Sequence, residues 1–151
     1  MITILAIGKK HEPWITEGVD MYQKRLKQPF DIDWVLLPHS SLEAAQARQE
    51  ESGRILSKLA DDSYVVLMDE TGKNISTPEI ASLLEKQFVY AKPVVIVIGG
   101  AYGVDSQLIA RANFVWSLSK LVFPHQLVRL VLIEQLYRAQ EITRGGKYHH
   151  L

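Results

Sequence analysis

The chain has 151 residues, enough for one domain with a substantial core, and at 47% hydrophobic and 23% charged it has the balance of an ordinary soluble protein. It contains no cysteine, which excludes disulfides, thiolate metal sites and a cysteine nucleophile. Seventeen Lys and Arg balance seventeen Asp and Glu, a poorer basic excess than dedicated nucleic-acid binders carry.

The charge is uneven along the chain. Residues 1–30 hold five basic against three acidic side chains, residues 31–90 five against eleven, and residues 91–151 seven against three. The ends are basic and the middle acidic, which reads mainly as solvated helix faces, with a modest phosphate-holding patch near the C-terminus as the alternative. The opening Met1–Ile7 is too short and lacks the leading basic region of a secretion signal, and no apolar run approaches a membrane span. The expected location is cytoplasmic.

Strand-like and helix-like segments alternate. Ile2–Ile7 is a compact apolar run, and Trp14–Leu26 repeats apolar residues at helical spacing. Ile32–Leu37 reads as a strand stopped by Pro38. Leu42–Leu59 is polar, with Ile55, Leu56 and Leu59 forming a stripe near its end. Ser63–Met68 is a strand, and Asp69-Glu70-Thr71-Gly72-Lys73 is expected to turn. Ser76, Thr77, Pro78 and Glu79 open a helix that continues through Ile80–Phe88. A strand at Val94–Ile98, a helix from about Asp105, a strand at Phe114–Leu118 and a helix over Pro124–Thr143 complete the order. This alternation, with continuous apolar strands, predicts an α/β domain with a mostly parallel sheet and helices on both faces.

In the last helix, Leu127, Val128, Leu130, Val131, Leu132, Ile133, Leu136 and Tyr137 cover more than one face. Such a helix is either buried within the chain or placed at a subunit interface, and the pattern leaves both open. Glu134 and Arg138 stand four apart in the favourable order for a helix-surface ion pair.

The chemistry-bearing residues gather late. Val94–Ile98 runs into Gly99-Gly100-Ala101-Tyr102-Gly103, a strand opening into a glycine turn of the kind that lines ligand crevices. Ser117–His125 forms a second loop ahead of a helix, and Arg144-Gly145-Gly146-Lys147-Tyr148-His149-His150 closes the chain. The glycines by themselves are a weak signal, because strand-to-helix turns use them without any ligand. The first such turn, Ile7-Gly8-Lys9-Lys10, lacks G-x-G-x-x-G, no G-x-x-x-x-G-K-[ST] occurs, and no His or carboxylate group has zinc spacing. His11 and His39 read as isolated surface residues, and His125 as a first-turn residue with a structural hydrogen bond.

Gly99–Gly103, Ser117–Gln126, Arg129, Ile133–Ala139 and the closing Tyr148-His149, with Ile4–Lys9 near the start, resemble the ribosomal RNA large-subunit methyltransferase H family of the SPOUT superfamily. The resemblance covers essentially the whole chain. It implies S-adenosyl-L-methionine as methyl donor and a C-terminal deep trefoil knot within about residues 94–151 of a single domain. It also implies a homodimer acting on a pseudouridine N3 in the decoding-region hairpin of 23S rRNA in the assembled ribosome, with no metal and no membrane. Carried over by position, the cofactor pocket involves Met68, Gly99, Leu118, Ser119, Lys120, Leu121, Val122 and Phe123. Core packing is the alternative role of Met68, Leu118, Leu121 and Phe123.

N3 of a uracil-type ring carries a proton that must leave for methylation, and histidine suits that step. The tail assigns His149 to proton management or base contact, Tyr148 to stacking on the base or hydrogen-bonding it, and Arg144 and Lys147 to phosphates. The family has a basic residue where this chain has His150, which weakens phosphate anchoring there or passes the role to His150. Without the resemblance the tail reads as a frayed terminus or a tag remnant. Two other functional readings stand beside the first. One is a knotted methyltransferase acting on tRNA or another rRNA base, and the other is a non-catalytic ribosome-binding dimer.

Overall fold

The computed structural model describes residues 1–146. Five strands alternate with five helices: β1 (Ile2–Ile7), α1 (Pro13–Gln23), β2 (Ile32–Leu37), α2 (Ala44–Leu56), β3 (Tyr64–Lys73), α3 (Thr77–Val89), β4 (Val94–Ile98), α4 (Ser106–Arg111), β5 (Phe114–Trp116) and α5 (His125–Thr143). The strands form one sheet in the order β2-β1-β4-β3-β5, and every neighbouring pair is parallel.

Parallel strands need crossovers, and here the helices supply them on both faces, as the alternation predicts. Side chains alternate across the sheet with period two. Ile2, Ile4 and Ala6 of β1 point into one core with Ile15, Val19, Ile80, Leu84, Leu132 and Leu136 from α1, α3 and α5. Leu5 and Ile7 point into the other, against Ile55 of α2 and Leu108 of α4. The central β4, Val94 to Ile98, is buried on both sides, which is why it reads as an unbroken aliphatic run.

Local signals set the helix starts. Ser76 accepts a hydrogen bond from the Glu79 N–H, and the Glu79 carboxylate accepts from the Ser76 N–H, closing a capping box ahead of α3. The Asp105 carboxylate accepts from the Leu108 N–H and starts α4. α5 packs between α1 and α3. Leu132, Ile133, Leu136 and Ala139 are fully buried, whereas Leu127 and Val131 are half-covered. Burial inside the chain therefore accounts for the main face of α5.

Two expectations change. Asp69–Lys73 is not a turn: β3 continues through Lys73, which pairs with Trp116 after a register shift beyond Met68. Gly72 permits this, because a side chain there would collide with the Val115 carbonyl of β5. β5 also ends at Trp116 and not at Leu118, since the Ser117 hydroxyl donates to the Ser119 carbonyl at 2.8 Å and bends the chain away.

Candidate active site

The carboxyl ends of β4 and β5, with the part of β3 where its pairing to β4 ends, surround a cavity of about 400 Å³. Met68, Asp69 and Glu70 come from β3, Gly99 to Val104 from the loop after β4, and Trp116, Leu118, Ser119, Leu121, Val122 and Phe123 from β5 and its loop. His125 and Val128 of α5 and Arg48 of α2 complete the wall. This is the edge of a parallel sheet at which ligands of α/β proteins bind.

The glycine loop is held from outside by α2. Arg48 Nε donates to the Tyr102 carbonyl at 2.9 Å, and the Ser52 hydroxyl accepts from the Asp105 N–H at 2.9 Å. The loop closes on itself where the Gly103 N–H meets the Gly100 carbonyl at 3.1 Å. Gly100 lies against the buried Glu51 carboxylate, and a Cβ there would stand 2.5 Å from Oε1. Gly103 needs its glycine for a different reason, a φ of +80°. Among the described residues nothing lies within 4 Å of where its Cβ would be.

The second loop is braced on β3. The Ser117 N–H donates to the Lys73 carbonyl at 2.9 Å, and the Asn74 amide donates to the Ser117 carbonyl at 2.9 Å. The Leu121 N–H then donates to the Ser119 hydroxyl at 3.0 Å. This bracing presents Leu121 and Val122 at 69% and 79% exposure, so Leu121 is no core residue. Leu118 does pack against the core, and Phe123 is half-buried.

Met68, Gly99, Leu118, Ser119, Leu121, Val122 and Phe123 thus line one cavity, while the exposed Lys120 sits in the same loop outside its wall. Arg144 is exposed just past the end of α5. The assignments to Lys147, Tyr148, His149 and His150 lie outside the described residues.

Residues that sequence reasoning passed over carry much of the geometry. Arg48, Glu51 and Ser52 support a loop some fifty positions away, and no local pattern marks that role. Arg129 is fully buried. Its Nη2 donates to the carbonyls of Ile7 at 2.9 Å and Gly8 at 3.3 Å, and Nη1 to that of Lys10 at 3.2 Å. Among the described residues no carboxylate pairs with it, and burial holds its pKa below the ordinary arginine value.

The histidines also differ from expectation. His11 is half-buried, with its ring edge-on to Trp34 and its Nδ1 3.2 Å from Arg129 Nη1. His125 makes no side-chain hydrogen bond among the described residues, and its ring stands edge-on to His39 with centroids 6.0 Å apart. Burial first, then Arg129 and His39, push the His125 pKa below the ordinary imidazole value, against a smaller upward pull from Glu12 and Glu51. These influences favour its neutral imidazole.

Among the described residues no group of three His, Cys, Asp or Glu side chains is arranged to hold a metal ion, and no helix is long and apolar enough to cross a membrane. The family model described as "Predicted SPOUT methyltransferase" matches residues 1–149. A protein of Acetivibrio thermocellus named ribosomal RNA large subunit methyltransferase H is 39% identical over 156 aligned positions, covering 98% of both chains. One of that name from Bacillus cereus is 40% identical over the same extent. Among solved structures, a probable methylase family protein from Haemophilus influenzae aligns over 99% of this chain and 70% of its own, with TM-score 0.57 and 16% identity. TrmJ from Z. mobilis aligns over 93% and 70%, with TM-score 0.58 and 12% identity. These two share the fold.

Proposed function

This chain belongs to the SPOUT methyltransferases, and from that membership we propose that it methylates N3 of a pseudouridine in the decoding-region hairpin of 23S rRNA, with S-adenosyl-L-methionine as donor. The observation that carries the reading is similarity of 39% to 40% along 98% of both chains to relatives named for large-subunit rRNA methylation. Action on assembled ribosomes, a homodimer, a cytoplasmic location and a knot within about residues 94–151 of one domain belong to the same reading.

The cavity fits the donor. Bare glycine backbone at Gly99, Gly100 and Gly103 allows close approach, and Met68, Leu118, Leu121 and Val122 offer apolar surface to a nucleoside and an alkyl chain. Residues 118–123 and Gly99 would hold it. When bound, it supplies a methyl group on a positively charged sulfur.

Such a transfer is an in-line displacement, so the chain's main contribution is alignment. The α2 clamp on the glycine loop and the brace from Asn74 and Lys73 fix the two walls before any ligand arrives. His149 takes up the N3 proton or contacts the base, Tyr148 stacks on it or hydrogen-bonds to it, and His150 takes the position where the family resemblance implies a basic residue. Arg144 and Lys147 hold flanking phosphates.

The test supplies methyl-labelled S-adenosyl-L-methionine with ribosomes from a strain lacking the modification, naked 23S rRNA and tRNA, and maps label in nuclease fragments by mass spectrometry. Label at N3 of a 23S pseudouridine, with ribosomes and not with naked RNA, is the expected result. Label on tRNA would overturn the target and keep the chemistry. No label on any RNA, with cofactor bound, would favour a binding factor.

A further inference from the structure

A second depression, of about 440 Å³, opens at the carboxyl ends of β1 and β2, lined by Gly8, Lys9, Lys10, Pro38, His39 and Gln126. We propose that it is a phosphate-binding site that anchors the RNA backbone beside the target base. The inference rests on the rRNA reading above and adds to it a location for the substrate's phosphate.

Three independent features converge there. The first is Arg129, a fully buried cation with only neutral partners among the described residues, whose Nε has no hydrogen-bond partner. Its charge is not neutralised locally, and the floor above it is Gly8, at φ +120°. A Cβ on Gly8 would stand 2.9 Å from Arg129 Nη2 and 3.3 Å from His39 Nε2, so nitrogen atoms flank a position that carries no side chain. The second is the start of α5, a 19-residue helix with no side-chain cap and no acidic residue in its first turn, whose Gln126 lines the depression. Its first-turn N–H groups, without a side-chain cap among the described residues, and its dipole favour an anion. The third is the exposed pair Lys9 and Lys10 at the rim.

Acidic groups are near, and each is held by donors of the chain itself. Glu51 accepts from the Ser40 N–H at 2.9 Å and lies 3.9 Å from His39 Nδ1, where it steadies the ring. Glu12 accepts from the Trp14 indole at 2.7 Å.

The position suits RNA. The protein has zero net charge, so long-range attraction cannot bring a polyanion to it and binding must come from local clusters. β1 is next to β4, and strands are spaced about 4.8 Å apart, which places the two clefts within the span of one nucleotide and its neighbours. His125 lines the first cleft and its ring meets His39 of the second, so the wall between them is shared.

The experiment compares wild type with the double variant Lys9→Ala, Lys10→Ala, both changes being on exposed side chains. Affinity for 50S subunits lacking the modification is measured over a salt series, and S-adenosyl-L-methionine affinity by calorimetry. Weaker ribosome binding, a salt slope smaller by about 1.4 to 1.8, and unchanged cofactor affinity are expected for two lost phosphate contacts. Lys92→Ala, at the opposite end of the sheet ahead of β4, is expected to change neither. An unchanged slope in the double variant would overturn the site. If wild type itself ignores ribosomes, the rRNA reading fails, and inorganic pyrophosphate titrated into isotope-labelled protein then judges the site separately. Resonance shifts at Gly8, Lys9, Lys10 and His39 would uphold it as an anion site, and their absence would overturn it.

Discussion

Arg129 Nη2 donates to the carbonyl oxygen of Ile7 at 2.9 Å, a bond between α5 and the last residue of β1 across 122 positions of sequence. Together with the bonds to Gly8 and Lys10, it satisfies carbonyls that β1 leaves behind where the sheet ladder ends. Arg129→Ala leaves those buried acceptors unpaired and opens a void, and is expected to lower unfolding free energy by about 3 kcal/mol. Arg129→Lys recovers little, because one ammonium cannot reproduce the two-armed fork. Urea denaturation of both variants measures this.

Gly100 and Gly103 are constrained differently, and alanine should separate them. Gly100→Ala meets the Glu51 carboxylate, which is buried and held by Ser40, so the loop must move. Calorimetry is expected to show at least about a tenfold loss of cofactor affinity, equal to roughly 1.4 kcal/mol. Gly103→Ala meets no atom among the described residues and suffers from its positive φ, with a cost of about 1 kcal/mol in stability.

Gly53 lies exposed inside α2, with nothing within 4 Å of its potential Cβ and no positive φ. Gly53→Ala is expected to stabilise the protein by about 0.5 to 1 kcal/mol, since alanine loses less backbone entropy in a helix. Thermal unfolding would read an increase in midpoint, and a decrease would show that α2 requires the glycine.

Burial and Arg129 hold the His11 pKa below its ordinary value of 6.5, and His125 is lowered in the same way. The unfolded chain therefore takes up these protons first as pH falls. The stability they contribute is fully present above pH 6.5 and is lost as pH drops towards their folded values. His11→Gln keeps an acceptor for Arg129 without a titrating ring. It should flatten the fall in thermal midpoint between neutral and mildly acid pH, and an identical pH profile would exclude His11 from the effect.

His149→Ala is expected to abolish methylation while leaving S-adenosyl-L-methionine affinity nearly intact, because the proposed cofactor pocket is assigned to Met68, Gly99 and residues 118–123. Single-turnover assays and calorimetry on one preparation check the pair. Parallel loss of both would show that His149 acts on the pocket and not on the base.

Much of the architecture was legible in one dimension. Ile2–Ile7, Ile32–Leu37 and Val94–Ile98 stand where the apolar runs place them, most plainly Val94–Ile98, because a strand covered on both faces needs unbroken aliphatic residues. The start of α3 was equally plain, since Ser76, Pro78 and Glu79 act within one turn. The loop motifs around Gly99 and Ser117 marked most of the loop residues that line the cavity, Lys120 excepted, for chain turns depend on local backbone freedom.

What the tertiary structure alone decided are the contacts between distant segments. Polar Asp69–Lys73 became strand because β5 offered it a partner, and propensity yields to such pairing. Arg48, Glu51 and Ser52 became supports of a loop about fifty residues on, and His11 became half-buried because Arg129 arrives beside it from α5. An arginine in a helical pattern reads as solvent-facing, since charge is costly to bury. Only the folded chain shows three backbone carbonyls converging to receive it, and the sum of those bonds is what turns an unfavourable burial into a fixed point of the site.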